Sequence, residues 1–158
     1  MWTGAAASLA GPRGPIFGRI MAIEAIDALT EAHFEDLLEL YRQAWWCRDR
    51  RREDVRRMLK HTDTLVGFQD VDSHKLVGFA RVLTDYVYKA LVFDVIVAES
   101  HRGQDIGRAL MNAILTHPVL RAVEHLELYC LPELAPFYEK WGFTADLGEL
   151  RFMRAQKK

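Results

Sequence analysis

The sequence has little of what marks several classes of protein. Its 158 residues contain two cysteines, Cys47 and Cys130, too few for a disulfide framework and without the spacing of metal ligands. The formal net charge is −1, so no general attraction draws the chain to nucleic acid or to an anionic membrane. No apolar run approaches the roughly 20 residues needed to cross a bilayer. We therefore expect a cytoplasmic protein that binds neither nucleic acid nor membrane.

The first 20 residues differ in composition from the rest. They are rich in Gly, Ala and Pro, they precede the first acidic residue, Glu24, and they show neither helical nor strand periodicity. A secretory signal would carry basic residues before its apolar stretch, whereas Arg13 and Arg19 follow it. We expect residues 1–20 to form a disordered extension and residues 21–158 to form a single domain. An organelle transit peptide is the alternative interpretation, and Met21 is an alternative start.

Strand and helix patterns alternate through residues 21–155. Strand patterns are found at 21–27, 64–70, 75–85, 91–99 and 125–131, with a closing hairpin at 143–155. Helical patterns are found at 31–46, 51–61, 106–117 and 132–142. This order predicts an α/β fold, a mixed sheet of about seven strands flanked by four helices, with one parallel crossover. The β-branched run at 91–97 predicts a strand buried on both faces.

The segment HRGQDIGRAL, residues 101–110, joins one of these strands to a helix. The unpaired N–H groups of a first helical turn and the helix dipole both favour an anion. Gly103 and Gly107 would let an anion approach the backbone closely. Asp105, in the middle of the segment, opposes this role by its charge. The segment is therefore either an anion site or an ordinary helix cap.

Two motifs occur in the chain with one helix and one strand between them, DVIVAESHRGQDIGRAL and LAPFYEKWGF. With these motifs the chain resembles the GNAT superfamily of N-acetyltransferases from about Ala22 to Ala155. The resemblance implies a GNAT-like mixed sheet, acetyl-CoA as co-substrate and no metal. It also implies direct transfer of an acetyl group to a primary amine on a small molecule or a peptide. A homodimer formed through the closing hairpin is expected by analogy.

The resemblance assigns the cofactor-binding residues by position. The diphosphate loop would consist of Arg102, Gly103, Gln104, Asp105, Ile106, Gly107 and Arg108, mostly through their backbone amides. Val95, Ile96 and Val97 would run beside the pantetheine. A backbone N–H group of that strand would polarise the thioester carbonyl, as in an oxyanion hole.

Asp105 stands where the family pattern has its first glycine after the arginine. A positive φ suits Asp less well than Gly. At about 6 Å and an effective dielectric constant of about 20, each charge pair with a diphosphate would cost roughly 3 kcal/mol before salt screening. We expect the Asp105 side chain to cap the helix and leave the backbone amides free, with some loss of acetyl-CoA affinity. The alternative function is a non-catalytic GNAT-fold module that binds CoA or a partner.

Two residues are the first candidates for the chemistry. Tyr138 matches the family tyrosine that is placed to protonate the departing CoA thiolate. An aliphatic amine with a pKa of about 10 is mostly protonated at neutral pH, so a base or a water relay is needed. Asp94 is the first candidate for a base or a substrate anchor, with Glu127 and Tyr129 as the others. The alternative for Asp94 is a structural tie to an arginine such as Arg81, because a carboxylate in an apolar strand needs a partner.

Several other features each have a structural and a functional interpretation. Cys130 has no readable His/Asp arrangement around it, so we expect a small core residue rather than a nucleophile. His101 is either a solvated loop residue or a phosphate ligand. Of Trp45 and Trp46, we expect one in the core and the other beside the acceptor. The run RDRRRED, residues 48–54, is either a solvated helix face or a basic patch for an anion.

Overall fold

The computed structural model describes residues 2–3 and 23–156. The predicted extension over residues 1–20 lies outside this described part, apart from Trp2 and Thr3. The chain divides into two compact units, Met1–Leu128 and Tyr129–Lys158. None of the described helices is long and apolar enough to cross a membrane.

The first unit contains seven strands and three α-helices among its described residues. The strands are β1 (Trp2–Thr3), β2 (Ile23–Ile26), β3 (Ala28–Leu29), β4 (Thr64–Asp70), β5 (Leu76–Thr84), β6 (Lys89–Val97) and β7 (His125–Leu128). The helices are α1 (Glu31–Arg42), α2 (Arg52–Lys60) and α3 (Ile106–Thr116). The short turns Glu99–His101 and Leu120–Ala122 are 3-10 helices.

Five of the strands form one mixed sheet, in the order β2-β4-β5-β6-β7. Neighbouring strands are antiparallel except β6 and β7, which are parallel and are connected through α3. The short strands β1 and β3 form a separate antiparallel pair. The predicted mixed α/β architecture with a parallel crossover is confirmed.

Local sequence signals account for the placement of the helices. Thr30 begins α1 because its side chain accepts a hydrogen bond from the His33 N–H at 3.1 Å, while the His33 ring accepts from the Thr30 N–H. The apolar residues of α1 are buried and the helix packs against β5 and β6. Helix α3 packs against the same sheet, where a Cβ atom on Gly78 would lie 2.8 Å from Ile106 Cγ2. Gly78 therefore allows α3 to approach the sheet closely.

The second unit contains one short helix between two turns. The 3-10 turn Pro132–Leu134 leads into α4 (Ala135–Tyr138), which is followed by the 3-10 turn Glu139–Trp141. Gly142 ends this run with a φ of 82°, the left-handed conformation that glycine commonly adopts at the end of a helix. The four α-helices of the described chain agree in number with the prediction.

The expectation of about seven strands in one sheet is wrong, because the closing hairpin does not form. Residues 143–156 contain no strand. Their backbone groups bond locally instead: the Thr144 hydroxyl accepts from the Asp146 N–H at 3.0 Å, and the Asp146 carboxylate accepts from the Gly148 N–H at 3.0 Å. The Arg151 guanidinium donates to two carbonyl groups of the same segment. Such local bonds compete with a strand ladder.

The burial of β6 also differs from expectation. Its side chains alternate between buried and half-buried positions, so the strand is not buried on both faces. The half-buried positions include Phe93, Val95 and Val97. Pairing with β7 ends at Val92, which leaves the second half of β6 with a neighbouring strand on one side only.

Candidate active site

A β-bulge interrupts the pairing of β6 with β5. Phe79 pairs with Ile96 and Arg81 pairs with Phe93, so Ala80 alone lies opposite two residues, Asp94 and Val95. Asp94 has a φ of 55°, in the left-handed region that residues other than glycine rarely adopt. A bulge of this kind bends a strand and redirects its backbone groups. Nothing in the run LVFDVIV identifies its position from sequence.

Beyond the bulge, one side of β6 has no strand partner. The parallel register with β7 runs from Lys89↔His125 to Val92↔Leu128 and stops there. On the other side of β6, the Ala98 N–H donates to the Val77 carbonyl of the β5 strand at 2.8 Å. Successive N–H groups of a strand point to opposite sides. Those of Val95 and Val97 therefore point to the side on which β7 no longer pairs with β6. The described strands provide no partner for them there.

Asp94 is the centre of a buried ionic cluster on β6. Its carboxylate accepts two hydrogen bonds from Arg50, at 2.7 and 2.9 Å, one from Arg81 Nε at 2.7 Å and one from the Tyr41 hydroxyl at 2.9 Å. The Asp94 side chain is only 2% exposed. The structural tie to Arg81 that we considered from sequence is present. Tyr41 and Arg50 were not foreseen, because Tyr41 belongs to the apolar stripe of α1 and Arg50 to a run of similar arginines.

The cluster determines the ionisation of its members. Burial raises the pKa of Asp94 most strongly, but hydrogen bonding to Arg50 and the charges of Arg81 and Arg50 together outweigh it, and the pKa lies below its ordinary value. Burial and the Asp94 charge hold the pKa of Tyr41 well above its ordinary value. Asp94 is therefore a charged acceptor of four hydrogen bonds, which is a poor state for a proton acceptor.

The loop after β6 has two left-handed residues. Gly103 has a φ of 75° and Asp105 a φ of 60°. The expectation that the Asp105 side chain caps α3 is wrong: it makes no capping hydrogen bond, because side-chain capping needs an extended residue at this position rather than a left-handed one. The Asp105 carboxylate instead lies 3.4 Å from the Arg108 guanidinium, and both side chains are largely exposed.

The backbone of this loop is rich in unused donors. The N–H groups from Gly103 to Arg108 make no hydrogen bond with any described residue. A Cβ atom on Gly103 would meet nothing within 4 Å. Two buried side-chain atoms of this region, His101 Nε2 and Gln104 Oε1, also have no hydrogen-bond partner among the described residues. Free amides, an open approach at Gly103 and the nearby Arg102 and Arg108 fit the diphosphate of a nucleotide.

His101 connects this loop to the end of β4. Its Nδ1 lies 2.8 Å from the Ser100 hydroxyl, and its Nε2 lies 3.9 Å from the Asp70 carboxylate. The Asp70 carboxylate also accepts hydrogen bonds from the Ser73 N–H and hydroxyl groups. The His101 side chain is 15% exposed, so it is not the solvated residue that a loop position predicts.

Tyr138 is buried in the second unit. Its ring contacts Phe137 and Phe143 edge to face. Burial, and to a smaller extent the proximity of Cys130, raises the pKa of Tyr138 to about 12. Its hydroxyl group therefore keeps its proton throughout the physiological pH range.

The remaining candidates lie on the surface. Cys130 is exposed, contrary to the expected core position, and Trp45 and Trp46 are exposed at 68% and 44%, so neither is a core residue. Glu127 forms an exposed ion pair with Lys89. Tyr129 is exposed and packs against Phe152. No three His, Cys, Asp or Glu residues of the described chain lie close enough together to hold a metal ion.

The arginine run at residues 48–54 is mostly paired with acids. Arg50 binds Asp94, and Arg52 of α2 pairs with Glu35 of α1. Further along α2, Arg56 pairs with Glu31 at 2.7 Å. The pairs of Arg52 and Arg56 join the two helices, and the pair of Arg50 joins the segment before α2 to β6, so the paired arginines of the run have a structural role.

The chain belongs to the GNAT acetyltransferase family. A family model described as "Acetyltransferase (GNAT) domain" matches residues 60–145, which include β4 to β7, the loop after β6 and Tyr138. The predicted family membership is confirmed.

Named relatives and a solved structure agree with this assignment. The chain is 35% identical over 107 residues to "Serotonin N-acetyltransferase 2, chloroplastic" of Oryza sativa subsp. japonica, covering 66% of this chain and 53% of the relative. It is 29% identical over 102 residues to "GCN5-related N-acetyltransferase 1, chloroplastic" of Arabidopsis thaliana, covering 63% and 52%. The chain thus spans about half the length of these relatives. A Xanthomonas campestris protein described as belonging to the GNAT family superposes with a TM-score of 0.70 at 28% identity, covering 84% of this chain and 94% of that one.

Proposed function

We propose that the protein is an acetyl-CoA-dependent N-acetyltransferase that moves an acetyl group directly to a primary amine. The observation that carries this proposal is the separation of β6 from β7 beyond Val92, beside the bulge at Asp94 and Val95. It leaves backbone N–H groups of one strand unpaired, directly before a loop whose own N–H groups are also unpaired. Acetyl-CoA supplies the activated acetyl group, and the protein supplies the groups that hold and polarise it.

The loop after β6 would hold the diphosphate. The unpaired amides from Gly103 to Arg108 and the N-terminus of α3 provide hydrogen-bond donors and partial positive charge. The Arg102 and Arg108 side chains are more than half exposed and positively charged, and each lies 3.4 Å from an acid of the same segment, Glu99 and Asp105 respectively. Val95, Ile96 and Val97 would run beside the pantetheine.

The N–H group of Val95 is the proposed donor to the thioester carbonyl. It points to the side of β6 that has no strand partner, and the bulge fixes its direction. A donor held in place before the reaction stabilises the developing oxyanion without reorganisation. Asp94 acts here as a positioning residue, because its four hydrogen bonds fix the bulge while its low pKa makes it a poor base.

Tyr138 is proposed to donate a proton to the departing thiolate. The motif resemblance described above implies this role, and the raised pKa, about 12, keeps the hydroxyl group protonated. A donor that remains protonated at neutral pH is available in each catalytic cycle.

The acceptor is proposed to be a primary amine of a small molecule or a peptide. Support comes from the rice relative, whose name specifies serotonin, and from the N-acetyltransferase name of the Arabidopsis relative. Homodimer formation and the absence of nucleic-acid binding remain predictions from sequence. A cytoplasmic location is also a prediction, while both of these relatives are named as chloroplastic. Imaging a carboxyl-terminal fluorescent fusion tests the location.

The activity is tested by measuring free thiol released from acetyl-CoA across a panel of amines, with the N-acetylated product identified by mass spectrometry. Acetyl-CoA binding to the same preparation is measured first by calorimetry. Thiol release that depends on an amine, with matching product, supports the proposal. Binding without thiol release for every small amine and peptide would contradict it.

The second candidate is a GNAT-fold module that binds CoA or a partner without catalysis. Its only basis is Asp105, whose charge would face a diphosphate. Because Asp105 is exposed and lies 3.4 Å from Arg108, that charge is partly neutralised and screened. The binding measurement and the thiol assay together separate the two candidates.

A further inference from the structure

Arg81 is a buried arginine with unused donors. Its side chain is 9% exposed, its Nε donates to Asp94 at 2.7 Å, and its guanidinium carbon lies 4.4 Å from the centroid of the Phe93 ring. Its two terminal nitrogens make no hydrogen bond with any described residue. Among the described residues, the fully buried side-chain atoms that lack a hydrogen-bond partner are His101 Nε2 and Gln104 Oε1. The terminal nitrogens of Arg81 lack a partner too but are not among these atoms, so they are not fully buried. The terminal nitrogens of Arg81 therefore reach solvent-accessible space.

The cluster around Arg81 carries an uncompensated positive charge. Arg50 and Arg81 share one carboxylate, Asp94, and neither forms an ion pair with a second acid of the described chain. Tyr41 contributes no negative charge, because its pKa lies well above the ordinary value. Excess charge in a largely buried place is costly unless an anion offsets it.

The position of Arg81 connects this charge to the proposed site of transfer. Arg81 on β5 pairs with Phe93 on β6, the residue directly before the bulge. Phe93 is also the first residue of β6 beyond the pairing with β7, so the guanidinium over its ring lies close to the point where the two strands separate. A guanidinium that is fixed through Nε keeps its two terminal nitrogens as a fork, which matches the two oxygens of a carboxylate.

We propose that Arg81 binds a carboxylate group of the acceptor, so that the acceptor is an amine that also carries a carboxylate. The proposal rests on the function proposed above. It predicts that an amino acid is a better acceptor than the amine that results from removing its carboxylate.

The test compares matched acceptor pairs that differ only in the carboxylate: 5-hydroxytryptophan with serotonin, lysine with cadaverine, and phenylalanine with phenethylamine. We expect kcat/KM of the wild type to favour the carboxylate member of at least one pair by about tenfold or more, the effect of one charge-assisted hydrogen-bonded pair. Arg81→Gln should abolish this preference, which is a ratio of two kcat/KM values and therefore does not change with an effect on acetyl-CoA that both acceptors share. Arg81→Lys should retain part of it, because it keeps the charge without the fork.

Arg57→Gln is the matched control, since Arg57 is 74% exposed and pairs only with Asp54. It should keep the preference of the wild type. The proposal would be overturned if the wild type used the amine without a carboxylate equally well or better in all three pairs. A preference that survives in Arg81→Gln would also overturn it. If Arg81→Gln fails to fold by circular dichroism, Arg81→Lys replaces it: a reduced preference supports the proposal, and an undiminished preference overturns it.

If the proposed acetyltransferase function is wrong, the result differs from the one expected when only the Arg81 proposal is wrong. Absence of thiol release with every acceptor would refute the acetyltransferase activity, whatever Arg81 binds. Calorimetry with N-acetyl-5-hydroxytryptophan and N-acetylserotonin then tests Arg81 without turnover. Tighter binding of the carboxylate ligand that is lost in Arg81→Gln supports the Arg81 site, and equal binding of the two ligands contradicts it.

Discussion

Arg50 directs both of its terminal nitrogens at the two oxygens of Asp94, at distances of 2.7 and 2.9 Å. The pair joins the segment between α1 and α2 to the bulge of β6. The Arg50 guanidinium also lies 4.6 Å from the Tyr41 ring centroid, so both the Asp94 carboxylate and the Tyr41 ring hold it in place. The bulge that directs the Val95 N–H is thus fixed by side chains from three separate elements of the first unit.

Replacing Asp94 with Asn should destabilise the protein by about 3 kcal/mol, because it leaves two arginines without their counter-charge in a buried place. Chemical denaturation measures the change in the free energy of unfolding. Asp54→Asn removes an exposed partner of Arg57 and should cost about 0.5 kcal/mol or less. Equal effects of the two substitutions would contradict a structural role for the Asp94 cluster.

The stability of the protein should depend on acid through Asp94. Its pKa is lowered on folding, so its contribution is fully present above the unfolded pKa of about 4 and is lost as the pH falls through the folded pKa. Wild type should therefore lose more stability than Asp94→Asn on acidification below about pH 4. Other carboxylates with a lowered pKa titrate in both proteins, so the difference isolates Asp94; they are Glu31, Glu35, Asp70 and Asp85. Parallel pH profiles would argue against this contribution.

The sequence predicted most of the sheet because its strands have strong local signals. The strand predicted at residues 64–70 has the same bounds as β4, and the helix predicted from residue 31 begins there as α1. In the hairpin predicted at residues 143–155, Gly148 does adopt the positive φ of a turn glycine, 64°, but the residues before it bond to their own neighbours. A turn signal alone does not determine whether the flanking residues pair.

The site was only partly predictable. An isolated carboxylate in an apolar strand indicated that Asp94 needs a cationic partner, and Arg81 was a reasonable candidate. The choice of Arg50 among neighbouring arginines depends on the path of the chain between α1 and α2, which no local pattern encodes. The bulge likewise depends on the register of β5 against β6, a long-range property.

Tyr138→Phe should lower kcat by about 100-fold with little change in KM for acetyl-CoA, because it removes a proton donor and keeps the ring. Steady-state thiol release measures both constants. Tyr88→Phe, at an exposed tyrosine of the first unit, is the control and should leave kcat unchanged. An unaltered kcat in Tyr138→Phe would exclude the proposed proton transfer.

Asp105→Gly should tighten acetyl-CoA binding severalfold, since it removes a negative charge from the diphosphate loop. Asp105→Asn should give a similar gain, because it removes the same charge at a residue that also tolerates a positive φ. Only Asp105→Gly should also stabilise the free protein, by about 1 kcal/mol, through relief of the left-handed conformation. Equal or weaker affinity in both variants, measured by calorimetry, would refute the electrostatic effect.

The most direct test of the account is a calorimetric titration of acetyl-CoA into the wild type, Gly103→Ala and Gly148→Ala. Both glycines have a positive φ and open space where a Cβ would lie, so alanine should cost each variant a similar 1–2 kcal/mol of stability, by a rough estimate. If the loop at residues 102–108 holds the diphosphate, Gly103→Ala should weaken binding by about tenfold through loss of close approach, whereas Gly148→Ala should bind as the wild type does. Wild-type affinity in Gly103→Ala, or no binding by the wild type, would contradict the account.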